Sequence, residues 1–258
     1  MTRIATTDLD ALESRFASAS PAEILAFAHH VFGARLALLS SMQRAGTMLC
    51  HLADRAALDL DVLFVDTGVL FPESLATRDR IIAAHPHLRI KTLTPLRTLA
   101  DQTREEGVLY LTREGQERCC DLRKSEPLRA VRGAYDALVG ALRRDEGGAR
   151  AKVRVFDIDP DMNALRVHPL AHLSREQLDS YIAEHTDVVV NPLHAMGYPT
   201  IGCYSCTTPV RADEPERAGR WRHLAGVEYC GINPTDRGTT RAIELDDRYG
   251  LLLGLKTS

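Results

Sequence analysis

The stretch RLALLSSMQRAGTMLCHLADRAALDLDVLFVDTG, residues 35–68, contains two short apolar runs on either side of a segment with helical spacing. Residues 35–39 and 61–65 have the length and composition of buried strands. Residues 47–58 repeat apolar side chains at the spacing of a helix face. This strand, helix, strand order predicts a βαβ unit, in which the two strands are parallel neighbours in one sheet.

The alternation of strand and helix patterns continues along the chain. Helices are predicted at residues 9–32 with a break at Ser20-Pro21, and at 75–84, 96–106, 122–131, 174–185 and 214–221; strands are predicted at 88–93, 137–142, 152–158 and 165–170. The order predicts one α/β domain at residues 1–220 with a doubly wound, mostly parallel sheet. Residues 221–258 are polar and rich in Gly and Thr, which predicts a mobile C-terminal tail.

Composition excludes several classes of protein. The 32 basic and 35 acidic residues give a net charge of -3, which supplies no basic field for tracking nucleic-acid phosphates. The sequence has neither an apolar run of about 18 residues nor a signal-peptide pattern, so we expect a soluble, cytoplasmic protein with no membrane partner. Six cysteines in a reducing compartment indicate metal or redox chemistry rather than disulfides.

Polar residues follow the first two predicted strands of the opening stretch. Ser40 and Ser41 come after one strand, and Asp66, Thr67 and Gly68 come after the next. Because parallel strands end at the same edge of a sheet, both turns are expected to lie on the ligand-binding edge. The first turn can offer backbone N–H groups to an anion, and it also fits an ordinary βα turn. Asp66 could accept hydrogen bonds from a ribose hydroxyl or an adenine amino group.

A loop with three arginines follows the strand predicted at residues 137–142. Arg143, Arg144 and Arg150 accompany two glycines in this loop. Guanidinium groups at the end of a buried strand can clamp a phosphate or sulfate with paired hydrogen bonds. A basic loop can equally be a solvated surface, and the residues alone leave both interpretations open.

Four cysteines form two pairs that are far apart in the sequence. Cys119 and Cys120 are adjacent, whereas Cys203 and Cys206 are separated by two residues. Four thiolates can bind zinc or an iron-sulfur cluster. The second pair has the spacing of a zinc knuckle, but adjacent cysteine side chains diverge and reach different irons of a cluster more easily than one small ion. The spacing therefore favours a cluster, with zinc as the alternative.

With these motifs, residues 40–233 resemble the assimilatory adenylyl-sulfate and phosphoadenylyl-sulfate reductases. The most specific shared features are the two cysteine pairs, Arg123-Lys124 after the first pair, and Asn-Pro-Leu at 191–193 with Gly-Tyr-Pro at 197–199 before the second. The resemblance implies the adenine nucleotide alpha-hydrolase-like fold of the PP-loop superfamily and a 4Fe-4S cluster on the four cysteines. It also implies reduction of adenylyl sulfate in sulfate assimilation, with the 3′-phosphorylated substrate as the alternative.

The resemblance extends to individual residues that contact substrate in that family. Asp66-Thr67-Gly68 resembles the adenosine-side loop, and the loop with Arg143, Arg144 and Arg150 resembles the family's arginine loop. Two further positions, Arg217 and Arg220, are similar to arginines that help to hold the nucleotide and its phosphosulfate, and Lys124 is similar to a lysine between cluster and substrate. The cluster is expected to organise charge rather than to cycle electrons.

Two stretches depart from the family pattern. The turn at residues 40–47 lacks the usual glycine and acidic positions, which is evidence against the alternative of an ATP-dependent pyrophosphatase or sulfurtransferase. In the tail, Glu228 is displaced by one position and Asn233 replaces a histidine, around Cys230. Cys230 is still the expected nucleophile, forming an S-sulfonate. No second tail cysteine is available, so a thioredoxin-type dithiol is the expected partner, while the oligomeric state stays open.

Overall fold

The computed structural model describes residues 1–224, 227 and 242–255 of the chain. Within these residues the strands are β1 Thr2–Ala5, β2 Leu36–Leu39, β3 Leu60–Val65, β4 Leu88–Leu93, β5 Ala137–Val139, β6 Phe156–Asp159, β7 Ala164–Val167 and β8 Ala242–Leu245. The α-helices are α1 Asp10–Arg15, α2 Pro21–Phe32, α3 Arg44–Arg55, α4 Pro72–Ala84, α5 Leu99–Glu106, α6 Arg113–Cys120, α7 Glu126–Arg129, α8 Arg175–Glu184 and α9 Asp247–Leu253. None of these helices is both long and apolar enough to cross a bilayer.

Six of the strands form one sheet in the order β4-β3-β2-β5-β7-β6. The pairs are parallel except for β6, which runs antiparallel to β7. The chain moves outward from β2 through β3 to β4 and then returns to β5 on the other side of β2. Such a reversal opens a crevice at the carboxyl ends of the two central strands. The predicted doubly wound, mostly parallel sheet is confirmed.

Alternate residues of the central strands pack on opposite faces of the sheet. Leu36 and Leu38 of β2 belong to the larger buried cluster with residues of α2, α3 and α8. Ala37 between them packs on the other face with Leu63 and Leu138. Burial on both faces explains why these strands read as continuous apolar runs in the sequence. The sheet therefore has a packed layer on each side.

Capping residues begin two of the predicted helices where the sequence indicated. Ser20 accepts a hydrogen bond from the Glu23 N–H at 3.3 Å before α2, and Ser174 accepts one from Gln177 at 3.2 Å before α8. Each N3 side chain bonds back to the cap backbone, which completes a capping box. Both start positions are confirmed.

Three predicted elements differ in the structure. The strand predicted at 152–158 begins only at Phe156, because the preceding backbone bonds to side chains: Val155 N–H to Glu13 at 2.8 Å and Val153 C=O to Arg144 at 2.8 Å. The predicted helix at 122–131 contains a π-helical turn before α7. The predicted helix at 214–221 is a series of turns, because Thr208 N–H bonds to Gly219 C=O at 2.9 Å.

The last strand and helix were not predicted from the sequence. Strand β8 pairs antiparallel with β1, and α9 follows it. Tyr249 of α9 is buried, packs on Phe32 with ring centroids 4.8 Å apart, and donates to Asp136 at 2.6 Å. Residues 242–253 of the predicted tail are therefore folded, at the amino ends of β2 and β5. The domain boundary after residue 220 stays a prediction.

Candidate functional site

A cavity of about 470 Å³ opens at the carboxyl ends of the central strands, where the strand order reverses. Its walls include the turn after β2 with Ser40 and Ser41, Thr67 after β3, and residues 140–143 after β5. This is the crevice in which open parallel sheets bind ligands, and its volume suits a nucleotide-sized molecule. The sequence predicted this edge from the order of strands and turns.

Among the charged side chains that line the cavity, cations outnumber carboxylates. Seven cations line it against three carboxylates, namely Arg44, Lys124, Arg143, Arg150, Arg175, Arg217 and Arg220 against Asp145, Glu146 and Glu216. The excess of positive charge in a partly enclosed space favours a ligand with several negative charges. A phosphate or sulfate group can bind several guanidinium groups at once.

Eight of the predicted substrate residues line this cavity: Ser40, Ser41, Thr67, Lys124, Arg143, Arg150, Arg217 and Arg220. Asp66, Gly68 and Arg144 do not line it, and Cys230 lies outside the described residues. Asp66 instead accepts from the Gly68 N–H at 2.8 Å and shapes the turn. Gly68 has φ +72°, and a Cβ there would lie 2.9 Å from the Arg123 guanidinium. These two residues therefore shape the turn after β3 and do not face the cavity.

Neighbouring arginines of the predicted arginine loop have different partners. Arg143 is 4% exposed, and within the described residues its Nε has no hydrogen-bond partner. Arg144 points away from the cavity, where it pairs with Glu13, donates to Val153 C=O at 2.8 Å and contacts His172 Nδ1 at 3.1 Å. Arg144 thus holds the loop in position, whereas Arg143 faces the ligand space.

The turn after β2 is shaped by tight contacts around Ser40. Ser40 accepts from the Met42 N–H at 3.2 Å, and Met42 has a left-handed φ of +56°. A Cβ at Gly46 would lie 2.5 Å from the Ser40 hydroxyl, so glycine is needed for α3 to approach the turn. Gln43 occupies the N-cap position of α3, but its side chain does not bond to the helix N–H groups. Its side-chain oxygen instead accepts a hydrogen bond from the Ile201 N–H at 2.7 Å.

The sequence did not predict several polar residues of the cavity wall, among them Gln43, Arg44, Arg175 and His194. The Arg44 N–H donates to His194 Nε2 at 3.3 Å, and His194 Nδ1 lies 2.8 Å from Tyr198 C=O. Burial, followed by the nearby charge of Arg44, lowers the pKa of His194 to about 4, so the ring is neutral and donates from Nδ1. One signal was available for Arg175, because the capping box at Ser174 places it in the first turn of a helix.

A second, smaller pocket of about 50 Å³ brings the two cysteine pairs together. Cys119 and Cys120 end α6, and Cys203 precedes a 3₁₀ turn that contains Cys206. A bridge between Leu70 and Cys203 holds the later loop against the turn after β3. All four predicted ligand cysteines therefore line one pocket, although about 80 residues separate the pairs in the sequence.

Several hydrogen-bond donors face the sulfur atoms. The Cys120 sulfur accepts hydrogen bonds from the Gln116 side-chain amide at 3.1 Å and from Lys124 Nζ at 3.4 Å. The Cys119 sulfur accepts one from the Gln102 side-chain amide at 3.6 Å. Desolvation by burial raises the pKa of the Cys119 and Cys206 thiols. A bound metal centre would favour their thiolate form.

Lys124 lines both the cysteine pocket and the cationic cavity. It belongs to the π-helical turn Asp121–Ser125, a wide turn of the kind found at functional sites. Its neighbour Arg123 is buried and donates to Thr67 C=O at 2.6 Å, which fastens this turn to the end of β3. The single lysine therefore connects the two pockets.

In residues 1–224, 227 and 242–255, no set of three or more His, Cys, Asp or Glu side chains is placed to hold a metal ion. The four cysteines nevertheless line one pocket. These cysteines are the residues that would hold a metal centre, either zinc or an iron-sulfur cluster.

Comparison with known proteins identifies the family. The model of the phosphoadenosine phosphosulfate reductase domain matches residues 35–209, which is more than half of the chain. The chain belongs to this family. Residues of both pockets lie within the matched region, whereas Arg217, Arg220 and Cys230 follow it.

Relatives of the family are similar over most of the chain. The adenosine 5′-phosphosulfate reductase of Streptomyces coelicolor is 39% identical over 232 residues, covering 88% of this chain and 96% of that protein. The adenosine 5′-phosphosulfate reductase 1 of Bacillus subtilis is 34% identical, covering 81% and 89%. The phosphoadenosine 5′-phosphosulfate reductase of Gloeobacter violaceus is also 34% identical, covering 88% and 94%.

Solved structures share the fold at lower identity. The phosphoadenylyl-sulfate reductase of Candida auris superposes with a TM-score of 0.65 at 22% identity, covering 78% of this chain and 96% of that one. An FMN adenylyltransferase of Candida glabrata, solved with FMN and an ATP analogue, has a TM-score of 0.53 at 12% identity, covering 80% and 69%. The reductase family thus shares its sheet with other nucleotide-binding proteins.

Proposed function

We propose that this chain reduces adenylyl sulfate to sulfite and AMP in sulfate assimilation, with electrons from a thioredoxin-type dithiol. The observation that carries the proposal is the position of Lys124, which lines both the cationic cavity and the four-cysteine pocket. An anionic substrate in the cavity would lie beside the cysteines with one ammonium group between them. Relatives named as adenosine 5′-phosphosulfate reductases support the choice of substrate.

We further propose that Cys119, Cys120, Cys203 and Cys206 hold a 4Fe-4S cluster. The donors from Gln102, Gln116 and Lys124 toward the sulfur atoms fit thiolates that carry negative charge. When bound, the cluster supplies a fixed negative charge, which Lys124 offsets beside the substrate. A zinc-stabilised binding protein is the non-enzymatic alternative, and iron content with visible absorption distinguishes the two.

The proposed reaction begins at Cys230. Its thiolate attacks the sulfate sulfur, the bond from that sulfur to the phosphate oxygen breaks, and AMP leaves with the electron pair. The cysteine then carries an S-sulfonate. One thiolate of the dithiol attacks the Cys230 sulfur and releases sulfite, and the second thiol resolves the mixed disulfide. The dithiol becomes a disulfide, and its two electrons convert sulfur from the sulfate to the sulfite oxidation state.

An ATP-dependent ligase on the same fold is the alternative enzyme class. Such an enzyme requires carboxylates that bind magnesium beside the phosphates. The three carboxylates that line the cavity are instead ion-paired: Asp145 with Arg143, Glu146 with Arg150, and Glu216 with Arg175. These pairs disfavour a magnesium site in the described part of the cavity.

Adenylyl sulfate is expected to give at least about tenfold higher kcat/KM than its 3′-phosphorylated form. Carboxylates already pair with Arg143, Arg150 and Arg175, so fewer of the seven cavity cations remain to bind an additional phosphate. Sulfite release with reduced thioredoxin, measured for both substrates at equal ionic strength, provides the comparison. Equal or better use of the 3′-phosphorylated substrate would make the chain a phosphoadenylyl-sulfate reductase instead.

Arg143→Lys is expected to weaken substrate binding by about 1–3 kcal/mol, because lysine keeps the charge but loses the planar fork of donors. The matched control is Arg144→Lys on the next residue, whose guanidinium pairs with Glu13 outside the cavity. The control should lower thermal stability and leave substrate affinity nearly unchanged. Calorimetric titration with AMP measures both variants, and equal losses of affinity would contradict the different placement of the two arginines.

A further inference from the structure

Trp221 is the one tryptophan of the sequence, and it lies in the wall of the cationic cavity with 1% exposure. Its φ of +49° is left-handed, a conformation that is unfavourable for a bulky aromatic residue. The backbone N–H of Trp221 donates to the Cys206 C=O at 2.9 Å, and this hydrogen bond holds the residue in this conformation. Strained residues fixed by their surroundings are common at binding sites.

The indole ring supports the two arginines that resemble substrate ligands. The Arg220 guanidinium carbon lies 4.5 Å from a ring centroid of Trp221, and that of Arg217 lies 5.8 Å away. A Cβ at Gly202 would fall within 2.4 Å of the Arg220 guanidinium, so this side chain is confined from the other side. The ring and the glycine thus fix the donors of Arg220 at the cavity wall.

The polar atom of the indole has no hydrogen-bond partner among the residues that the structure describes. Among the described residues, Trp221 Nε1 is buried and makes no hydrogen bond, and the same is true of Arg220 Nε. Buried N–H groups without an acceptor destabilise a fold, and they are rare in proteins. Two of them on adjacent residues of a cationic cavity indicate that a ligand supplies the acceptors.

We propose that Trp221 is a substrate-binding residue whose indole N–H donates to an oxygen of the phosphosulfate group, beside Arg217 and Arg220. An indole is only a donor, and the oxygens of phosphate and sulfate are only acceptors at neutral pH, so the two are complementary. The inference rests on the proposed function, because it takes adenylyl sulfate as the ligand, and it adds a residue that specifies the anionic end of that ligand.

Trp221→Phe separates the N–H from the ring. Phenylalanine keeps an aromatic face under Arg220 and has the same difficulty with a left-handed φ, so the main loss is the hydrogen bond. In full-length Cys230→Ser protein purified without air, Trp221→Phe should weaken binding of adenylyl sulfate about tenfold in calorimetric titrations. Trp221→Leu removes the aromatic face as well and should weaken it about tenfold further.

The same titrations with AMP show whether a phosphate or a sulfate oxygen accepts the hydrogen bond from the indole. A loss for both ligands indicates a phosphate oxygen, and a loss for adenylyl sulfate alone indicates a sulfate oxygen. Tyr181→Phe is the control, since its hydroxyl contacts His51 at 2.8 Å away from the cavity, and it should bind both ligands like its parent. Melting temperatures of all variants separate binding from folding.

Two results would overturn the inference in different ways. If the parent protein binds both ligands and Trp221→Phe binds them equally well, the indole N–H is not a ligand donor, although the proposed function stands. If the parent binds neither ligand, the proposed function fails and this inference fails with it. Binding by the parent should also change tryptophan fluorescence, and an unchanged signal despite heat of binding would likewise count against the proposal.

Discussion

Cys230→Ser is expected to reduce sulfite release from adenylyl sulfate by at least about a thousandfold, the largest effect of any single substitution proposed for this chain. A serine hydroxyl is hardly ionised near neutral pH and cannot form the S-sulfonate. Binding of AMP and the iron content should persist, because the cavity and the cysteine pocket are built from other residues. Sulfite assays with reduced thioredoxin, AMP titration and iron analysis of one preparation provide the three measurements.

The intermediate itself can be detected in the wild-type protein. After incubation with adenylyl sulfate but without a dithiol, intact-mass measurement should record one added sulfonate, and peptide digestion should assign it to Cys230. Cys50→Ala is the matched control, because Cys50 is fully buried on α3 and burial raises its pKa to about 12. This control should still release sulfite. Sulfite formation by Cys230→Ser, or sulfonate on Cys50, would contradict the mechanism.

Cys203→Ser is expected to lose the bound iron and to lower Tm by about 10 °C. The cluster would join the end of α6 to the later cysteine loop, so its loss removes a covalent connection between distant segments. Serine also leaves a buried hydroxyl beside Thr67, whose Oγ1 lies 3.3 Å from the Cys203 sulfur. Iron and sulfide analysis, visible absorption and thermal denaturation in the absence of air measure these effects.

Comparison with Cys50→Ala separates the cluster from a general effect of removing a thiol. Cys50 lies on α3 in the buried core, away from the cysteine pocket, so its replacement should keep the iron content and create only a small cavity. Retention of full iron by Cys203→Ser would remove this residue from the ligand set. One zinc and no iron per wild-type chain would instead support the zinc alternative.

The type of sheet and the edge at which ligands bind follow from the amino-acid sequence. Strand and helix periodicity are local properties, so the βαβ pattern at residues 35–68 and the capping boxes at Ser20 and Ser174 could be read directly. The carboxyl ends of parallel strands must meet at one edge, so strand order alone predicts that Ser40 and Thr67 lie close together, as they do in the cavity wall. Cysteine spacing likewise singled out the four thiols of one pocket.

Which of two neighbouring residues faces the ligand and which supports the site depends on the packed, three-dimensional structure. Arg143 and Arg144 are adjacent and chemically identical, yet one faces the cavity and the other pairs with Glu13, about 130 residues earlier in the chain. The burial of Trp221 in the cavity wall and the pairing of β8 with β1 also depend on residues far apart in sequence. Side-chain direction is set by packing and by long-range hydrogen bonds, which leave no periodic signal in a local stretch of sequence.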